Sequence, residues 1–107
     1  MLVNYDIDET VLEYCKKIFS LNSYKISNTR IIIPTEAMTP DKDSKINSFD
    51  EILVTLNEGR EISMCIFSGI YENYEMSICV DFDALMLTIS GNNLDLIHSL
   101  KREIFHL

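Results

Sequence analysis

Residues 61–91 read EISMCIFSGIYENYEMSICVDFDALMLTISG and contain three runs in which apolar side chains recur at every second position. Successive side chains of a strand point to opposite faces of a sheet, so this pattern predicts three strands that share one apolar face. The runs follow one another closely enough to form an antiparallel meander. The predicted apolar face contains Ile62, Met64, Ile66, Ile70, Met76, Ile78, Val80, Phe82, Leu85, Leu87 and Ile89.

The numbering of these residues also predicts the strand register. The apolar sides of the first two runs match only across a loop with an odd number of residues, most simply 72–74, which places Ile70 opposite Met76. Phe67 then lies opposite Cys79. The second and third runs need a turn of two or four residues near 81–84. Four is favoured, because Ala84 resists the positive φ of a two-residue hairpin.

The second face of the predicted meander has an unusual composition. Solvated sheet faces normally carry long charged side chains, whereas this one is small and semi-apolar and has acids only at its ends. Such a face is typical of a surface that something covers, either a partner or one of the chain's own helices. Its predicted members are Ser63, Cys65, Phe67, Gly69, Tyr71, Ser77, Cys79, Met86, Thr88 and Ser90, with Glu75, Asp81 and Asp83 at the ends.

The remainder of the chain predicts three helices and one more strand. Helical spacing of apolar residues indicates helices at 6–19 and 94–107. A β-branched run predicts a strand at 29–33, and 34–47 is expected to be a mobile loop or a binding loop. A third helix at 48–58 is indicated by a capping box of Ser48 with Glu51 and by Gly59 at its end.

The order α-β-α-β-β-β-α predicts an α+β fold for one domain spanning residues 1–107. We expect a two-layer α/β sandwich, in which helices pack on one face of a four-stranded, mainly antiparallel sheet.

Two short motifs resemble those of enzymes. Asp6-Ile-Asp8-Glu-Thr10 resembles the nucleophile motif of haloacid dehalogenase-type phosphatases, which stands at the end of a buried parallel strand. No series of β-α-β units follows it here, so we predict that Asp6 or Asp8 caps the first helix. Asp81-Phe-Asp83 resembles the cation-binding motif of some nucleotide-sugar transferases, but the large nucleotide-binding domain is missing and a turn is the better interpretation.

No other residues predict catalysis, a cofactor or a metal. His98 and His106 lie eight residues apart on one helix, roughly 12 Å along its axis, which is too far for them to share one ion. The three glycines offer no phosphate-binding loop. Three cysteines at positions 15, 65 and 79 fit no disulfide framework, so we expect reduced thiols and a cytoplasmic protein, without secretory signal or membrane span.

The charge distribution predicts the kind of partner. The chain has a net charge of −8 and no Lys or Arg between Glu61 and Leu100, a span that contains six acidic residues. The negative electrostatic field of these residues repels nucleic acid and attracts basic surfaces. Solubility alone is the alternative explanation for such a charge.

The sequence names no reaction, and we predict a non-enzymatic, small acidic inhibitor that occludes a basic protein partner. It is either a bacterial immunity protein against a toxin such as a nuclease, or a phage-type inhibitor of a nucleic-acid-binding defence enzyme. The alternative is a homo-oligomeric structural or regulatory domain, a homodimer for instance, that pairs through the second sheet face; a small enzyme is a third hypothesis. The predicted partner-binding residues are Phe67, Tyr71, Glu72, Tyr74, Glu75, Asp81 and Asp83.

Overall fold

The computed structural model describes residues 1–34 and 46–106, so most of the predicted 34–47 loop lies outside the described residues. The elements are β1 (Leu2–Asp6), α1 (Val11–Ser20), β2 (Tyr24–Ile32), α2 (Phe49–Asn57), β3 (Met64–Tyr71), β4 (Tyr74–Asp81), β5 (Met86–Ser90) and α3 (Leu94–Phe105).

The strands form one antiparallel sheet in the order β1-β5-β4-β3-β2. The α+β class and the meander of β3, β4 and β5 are confirmed. The predicted count of four strands is wrong, because residues 2–6 form a fifth strand at the edge of the sheet against β5. β2 begins at Tyr24, five residues before the predicted start of that strand.

The helices contribute to a single core on one face of the sheet. Tyr14 of α1 and Phe105 of α3 have their ring centroids 4.9 Å apart, which joins these two helices above the strands. Phe19 of α1 meets the ring of Phe67 from β3 edge-on, with centroids 5.1 Å apart. Ile52 of α2 is fully buried in the same cluster. The face that carries Phe67 is therefore the covered face.

The predicted register between β3 and β4 is wrong by one residue. Tyr71 pairs with Tyr74 across a two-residue turn, so Ile70 lies opposite Glu75 rather than opposite Met76. Both turn residues, Glu72 and Asn73, have positive φ, as a tight hairpin turn of this kind requires.

A shift of one residue exchanges the faces of a whole strand. The odd-numbered residues of β3 therefore face the core with the even-numbered residues of β4, and Met64 and Ile66 lie on the opposite face. Gly69 belongs to the covered face, where the Tyr24 ring lies so close that an added Cβ would be 2.8 Å from its Cζ. The Tyr24 hydroxyl donates to the Met76 carbonyl oxygen at 2.7 Å, which fixes the ring in this place.

The turn between β4 and β5 has the predicted four residues, because Asp81 pairs with Met86. The Asp81 carboxylate accepts hydrogen bonds from the backbone N–H groups of Asp83 and Ala84, both at 2.9 Å. This is the turn role expected of the Asp81-Phe-Asp83 motif. The Val80–Leu87 and Ile78–Ile89 pairs then place both strands in register on the covered face.

The helix boundaries differ most at α1. The predicted cap by Asp6 or Asp8 is wrong, because Asp6 belongs to β1 and α1 is capped by Thr10, whose hydroxyl accepts from the Glu13 N–H at 3.3 Å. Asp8 instead accepts a hydrogen bond from the Tyr14 hydroxyl. The three residues of the phosphatase-like motif thus have structural roles.

The predicted helices at 48–58 and 94–107 correspond to α2 and α3. Ser48 precedes α2 without a side-chain capping bond, and Glu51 accepts from the Asn47 N–H, so the predicted capping box does not form. Gly59 has the predicted left-handed conformation after the helix, with φ of 79°.

Candidate functional site

The candidate site is the sheet face opposite the helices, which we call the open face. In the register of the structure it carries alternate residues of all five strands. They are Leu2, Asn4 and Asp6 of β1, Met86, Thr88 and Ser90 of β5, Glu75, Ser77, Cys79 and Asp81 of β4, Met64, Ile66, Ser68 and Ile70 of β3, and Lys25, Asn28, Arg30 and Ile32 of β2.

The centre of the open face consists of small polar side chains. Ser68, Ser77 and Ser90 lie side by side on β3, β4 and β5, and the next row contains Cys79 and Thr88. Adjacent strands are about 4.8 Å apart, so the three serine positions span roughly 10 Å across the sheet. The apolar residues Ile66, Met64 and Met86 lie toward the end of the sheet formed by the β4–β5 turn.

Two of the predicted partner-binding residues are in the core. Phe67 is completely inaccessible to solvent, and Tyr71 is 3 % exposed, with its hydroxyl 2.8 Å from the Ser99 hydroxyl of α3. Both lie on the covered face because of the corrected register. Neither presents its side chain to a partner in this fold, and their assignment to the second face is wrong.

Three predicted residues lie together at the tip of the β3–β4 hairpin. Glu72, Tyr74 and Glu75 are exposed, and the Tyr74 side chain retains 48 % of its accessible surface. The correct register adds Ile70, which is 44 % exposed and pairs with Glu75 on the open face. We call these four residues the hairpin tip. Because Tyr74 pairs with Tyr71, its exposed ring lies on the side of the hairpin opposite Ile70 and Glu75.

The remaining two predicted residues lie at the other end of β4. Asp81 is six residues from Glu75 along the strand, about 20 Å away. Asp83 is exposed in the adjoining turn, and Asp6 of β1 shares the row that Asp81 occupies. The predicted set therefore divides into the hairpin tip and a separate acidic end of the sheet.

The open face of the sheet carries both basic and acidic side chains, so its electrostatic field is not uniformly negative. β2 places the exposed side chains of Lys25 and Arg30 at the edge of the open face, next to Ile70 and Ile66. The acidic residues Glu75, Asp81 and Asp6 occupy β4 and β1, on the other side of β3. The absence of Lys and Arg from residues 61–100 thus describes three strands rather than the whole face.

A groove of about 670 Å³ runs across the open face beside the hairpin tip. Its floor includes the row of Ser68, Ser77 and Ser90. Ile70 and Glu75 form the wall toward the tip. The other lining residues are Met1, Ser27, Gly69, Met76, Gly91 and Asn92.

The edge of this groove depends on an irregularity in β2. The register shifts between Ile26 and Asn28, so Ser27 is an extra residue in the strand, as in a β-bulge. Its hydroxyl donates to the carbonyl oxygen of Ser68 at 3.1 Å. On the opposite side the Gly91 N–H donates to the Met1 carbonyl oxygen at 3.0 Å. Glu75 has the only charged side chain among the described residues that line the groove.

The cysteines are free, and they separate between the two faces. Cys15 and Cys65 are fully buried in the core, and their thiols are hydrogen-bonded to each other. This bond and burial raise the pKa of Cys65 far above that of an ordinary thiol. Cys79 is half-buried on the open face, where burial and the nearby Asp81 carboxylate raise its pKa. Cys65 and Cys79 are therefore on opposite faces rather than diagonal neighbours.

The described residues contain no cluster of three or more His, Cys, Asp or Glu side chains suited to hold a metal ion. His98 is exposed, and its Nδ1 lies 3.2 Å from the Tyr5 hydroxyl. Over residues 1–34 and 46–106, no helix has the length and apolar character needed to cross a membrane.

Sequence reasoning missed Ser27, Ile70 and Asn92 as parts of a site. Tyr24 and Ile26 alternate with Lys25, so the earlier start of β2 was visible as a period-two pattern. The extra residue at Ser27 has no comparable signal, because a serine in a strand is unremarkable. Comparison of the chain with protein-family models, curated proteins and solved structures finds no significant match.

Proposed function

We propose that the protein is a small acidic inhibitor that binds a basic partner protein and occludes its working surface. The observation that carries the proposal is the hairpin tip, where Ile70 and Tyr74 remain 44 % and 48 % exposed between the carboxylates of Glu72 and Glu75. Exposed aromatic side chains anchor protein interfaces, and carboxylates replace phosphates against the Lys and Arg side chains of a nucleic-acid-binding target. A toxin nuclease or a nucleic-acid-binding defence enzyme has such a surface.

The net charge of −8 supports the same proposal. It favours fast association with a basic protein and disfavours direct contact with nucleic acid. β4 carries acids at both of its ends, and the serine row between them has no bulk that would hold a partner away. Ile70 and Glu75 of the hairpin tip adjoin the groove on the open face, whereas Tyr74 lies on the other side of the hairpin.

Pairing of the open face with a second copy is the alternative, and the position of β4 argues against it. β4 is the middle strand of five, so a two-fold pairing centred on the sheet puts β4 on β4. Glu75 and Asp81 would then meet each other or their own copies. Like charges brought together at an interface cost several kcal/mol. We therefore expect a monomer in sedimentation equilibrium at about physiological salt; a stable dimer would favour the alternative.

The double variant Glu72→Gln with Tyr74→Ala tests the proposal. The wild-type protein serves first as bait, and a captured basic protein is identified by mass spectrometry and assayed for inhibition. We expect the double variant to bind that partner at least tenfold more weakly, a loss of ~1.4 kcal/mol. The contribution of Glu72 should decrease at high salt, because exposed charges are screened over ~10 Å at 0.1 M.

The matched control is Glu58→Gln, which removes one exposed charge at the end of α2, away from the hairpin tip. It should bind as the wild type does. The thermal midpoint of the double variant should change by a few degrees at most, since exposed substitutions cost under ~0.5 kcal/mol. Unchanged affinity together with a large loss of stability would show that the tip only packs against its own hairpin.

A further inference from the structure

The groove on the open face has the chemistry of a receptor for one cationic side chain. Its volume is about 670 Å³, and Glu75 carries the only charged side chain among the described residues that line it. The serine hydroxyls of its floor supply further acceptors along a line of roughly 10 Å.

We propose that this groove binds an arginine side chain of the basic partner. A guanidinium group presents five N–H donors in a planar fork and no acceptor, so it matches a carboxylate beside a row of hydroxyls. Its aliphatic stem can lie along Ile70, which forms the wall next to Glu75. An ammonium group places its donors around one point and uses fewer of the spaced hydroxyls.

Lys25 is the nearest basic residue on the same face and bears on the strength of the site. It pairs with Ile70 from the outer side, so it lies two strands away from Glu75. That separation is about 10 Å, close to the screening length at 0.1 M salt. Repulsion from Lys25 therefore weakens the attraction of Glu75 for a guanidinium without cancelling it.

This inference rests on the proposed function for the source of the arginine, but the groove can be tested without a partner. The experiment is an amide chemical-shift titration of the isolated protein with Nα-acetyl-arginine amide, and in parallel with the matching citrulline compound. Citrulline has nearly the same shape and no charge. We expect saturable shifts at Ser68, Ser77 and Ser90 with arginine, with a dissociation constant in the millimolar range, and at least tenfold weaker binding of citrulline.

The variant Glu75→Gln should reduce arginine affinity by about tenfold, because it removes the charge-assisted bond. Glu58→Gln is the matched control, since Glu58 is an exposed carboxylate at the end of α2 and lies outside the groove lining. It should bind arginine within about twofold of the wild type. Shifts spread over the whole acidic surface, equal binding of citrulline, or an unaffected Glu75→Gln variant would each overturn the groove as an arginine site.

The outcomes also separate this inference from the proposed function. If arginine fails to bind while the tip variant still loses the partner, the groove proposal is overturned and the inhibitor proposal stands. If arginine saturates the groove while the double variant keeps full partner affinity, the groove is supported and Glu72 and Tyr74 are excluded as contacts with the partner.

Discussion

The two faces of this sheet are formed by alternate residues of the same strands, yet they differ in what their side chains do. The covered face presents Phe67, Ile78 and Leu87, each with no accessible surface. The open face presents Ser68, Ser77 and Thr88 at neighbouring positions, all partly accessible. At the centre of the sheet, the side chains of the covered face are therefore large and apolar, whereas those of the open face are small and polar.

Aliphatic side chains alone therefore do not identify the covered face of a strand. β3 carries Met64, Ile66 and Ile70 on the open face and Cys65, Phe67 and Tyr71 on the covered face. The aromatic side chains reach the helices, as the edge-on contact of Phe67 with Phe19 shows. Burial of two aromatic rings outweighs burial of shorter aliphatic chains, since an aromatic side chain buries 150–250 Å² or so.

The largest expected difference between the faces is in the cost of truncation. Phe67→Ala removes a fully buried ring and should lower the free energy of unfolding by about 3–5 kcal/mol. Ile66→Ala, at the next position on the open face, should cost about 1 kcal/mol because that side chain is only half-buried. Urea denaturation of both variants measures the difference.

If Phe67→Ala does not fold, Phe67→Leu gives the same comparison with a smaller loss. An equal loss of unfolding free energy at positions 66 and 67, or a larger loss at Ile66, would show that the even-numbered residues of β3 face the core. The assignment of the covered face and the open face would then be wrong.

High pH should lower the stability of the protein through two ionisable groups of the covered face, the Tyr24 hydroxyl and the Cys65 thiol. Burial raises the pKa of the Tyr24 hydroxyl, and burial with the Cys15 bond raises that of Cys65. The stability that these protonated groups contribute is fully present below their unfolded pKa values, about 8.5 for Cys and 10 for Tyr. It is lost above those values, at up to ~1.4 kcal/mol per pH unit for each group.

We therefore expect urea midpoints to be steady from pH 7 to 8 and to fall between pH 9 and 10.5. Cys65→Ala should fall less steeply over the same range, because it lacks one of the buried ionisable groups. Tyr74→Phe, which alters an exposed ring at the hairpin tip, should fall as steeply as the wild type. Parallel slopes for wild type and Cys65→Ala would contradict the burial of that thiol.

The sequence was sufficient for the meander, the two later helices and the four-residue turn, because each rests on local periodicity or turn chemistry. It was insufficient for β1, since Val3 and Tyr5 are two apolar positions around Asn4 and become a strand only through pairing with β5. The register of β3 required knowing that Glu72 and Asn73 both accept positive φ. Glutamate rarely does so, and nothing local indicates it.

The candidate site was predictable only at the hairpin tip. Glu72, Tyr74 and Glu75 were found because they are close in sequence and belong to a turn. The groove depends on residues from four strands, β2 to β5, and on flanking residues such as Met1 and Asn92. It also depends on a bulge at Ser27 that local patterns do not indicate. Those contacts follow from strand order, which the sequence did not determine.

The sheet is divided into a covered face and an open face. The reactivity of the thiols in the native protein tests this division most directly. Cys65 and Cys79 would lie on one face in the register with a three-residue loop, and they lie on opposite faces here. Native protein treated with a thiol reagent at about pH 8.5 should react at Cys79 first. Cys15 and Cys65 should react only on unfolding, giving a total of three thiols. Peptide mapping identifies the modified residue. Comparable reaction rates at Cys65 and Cys79 in the folded protein would contradict the placement of these two thiols on opposite faces.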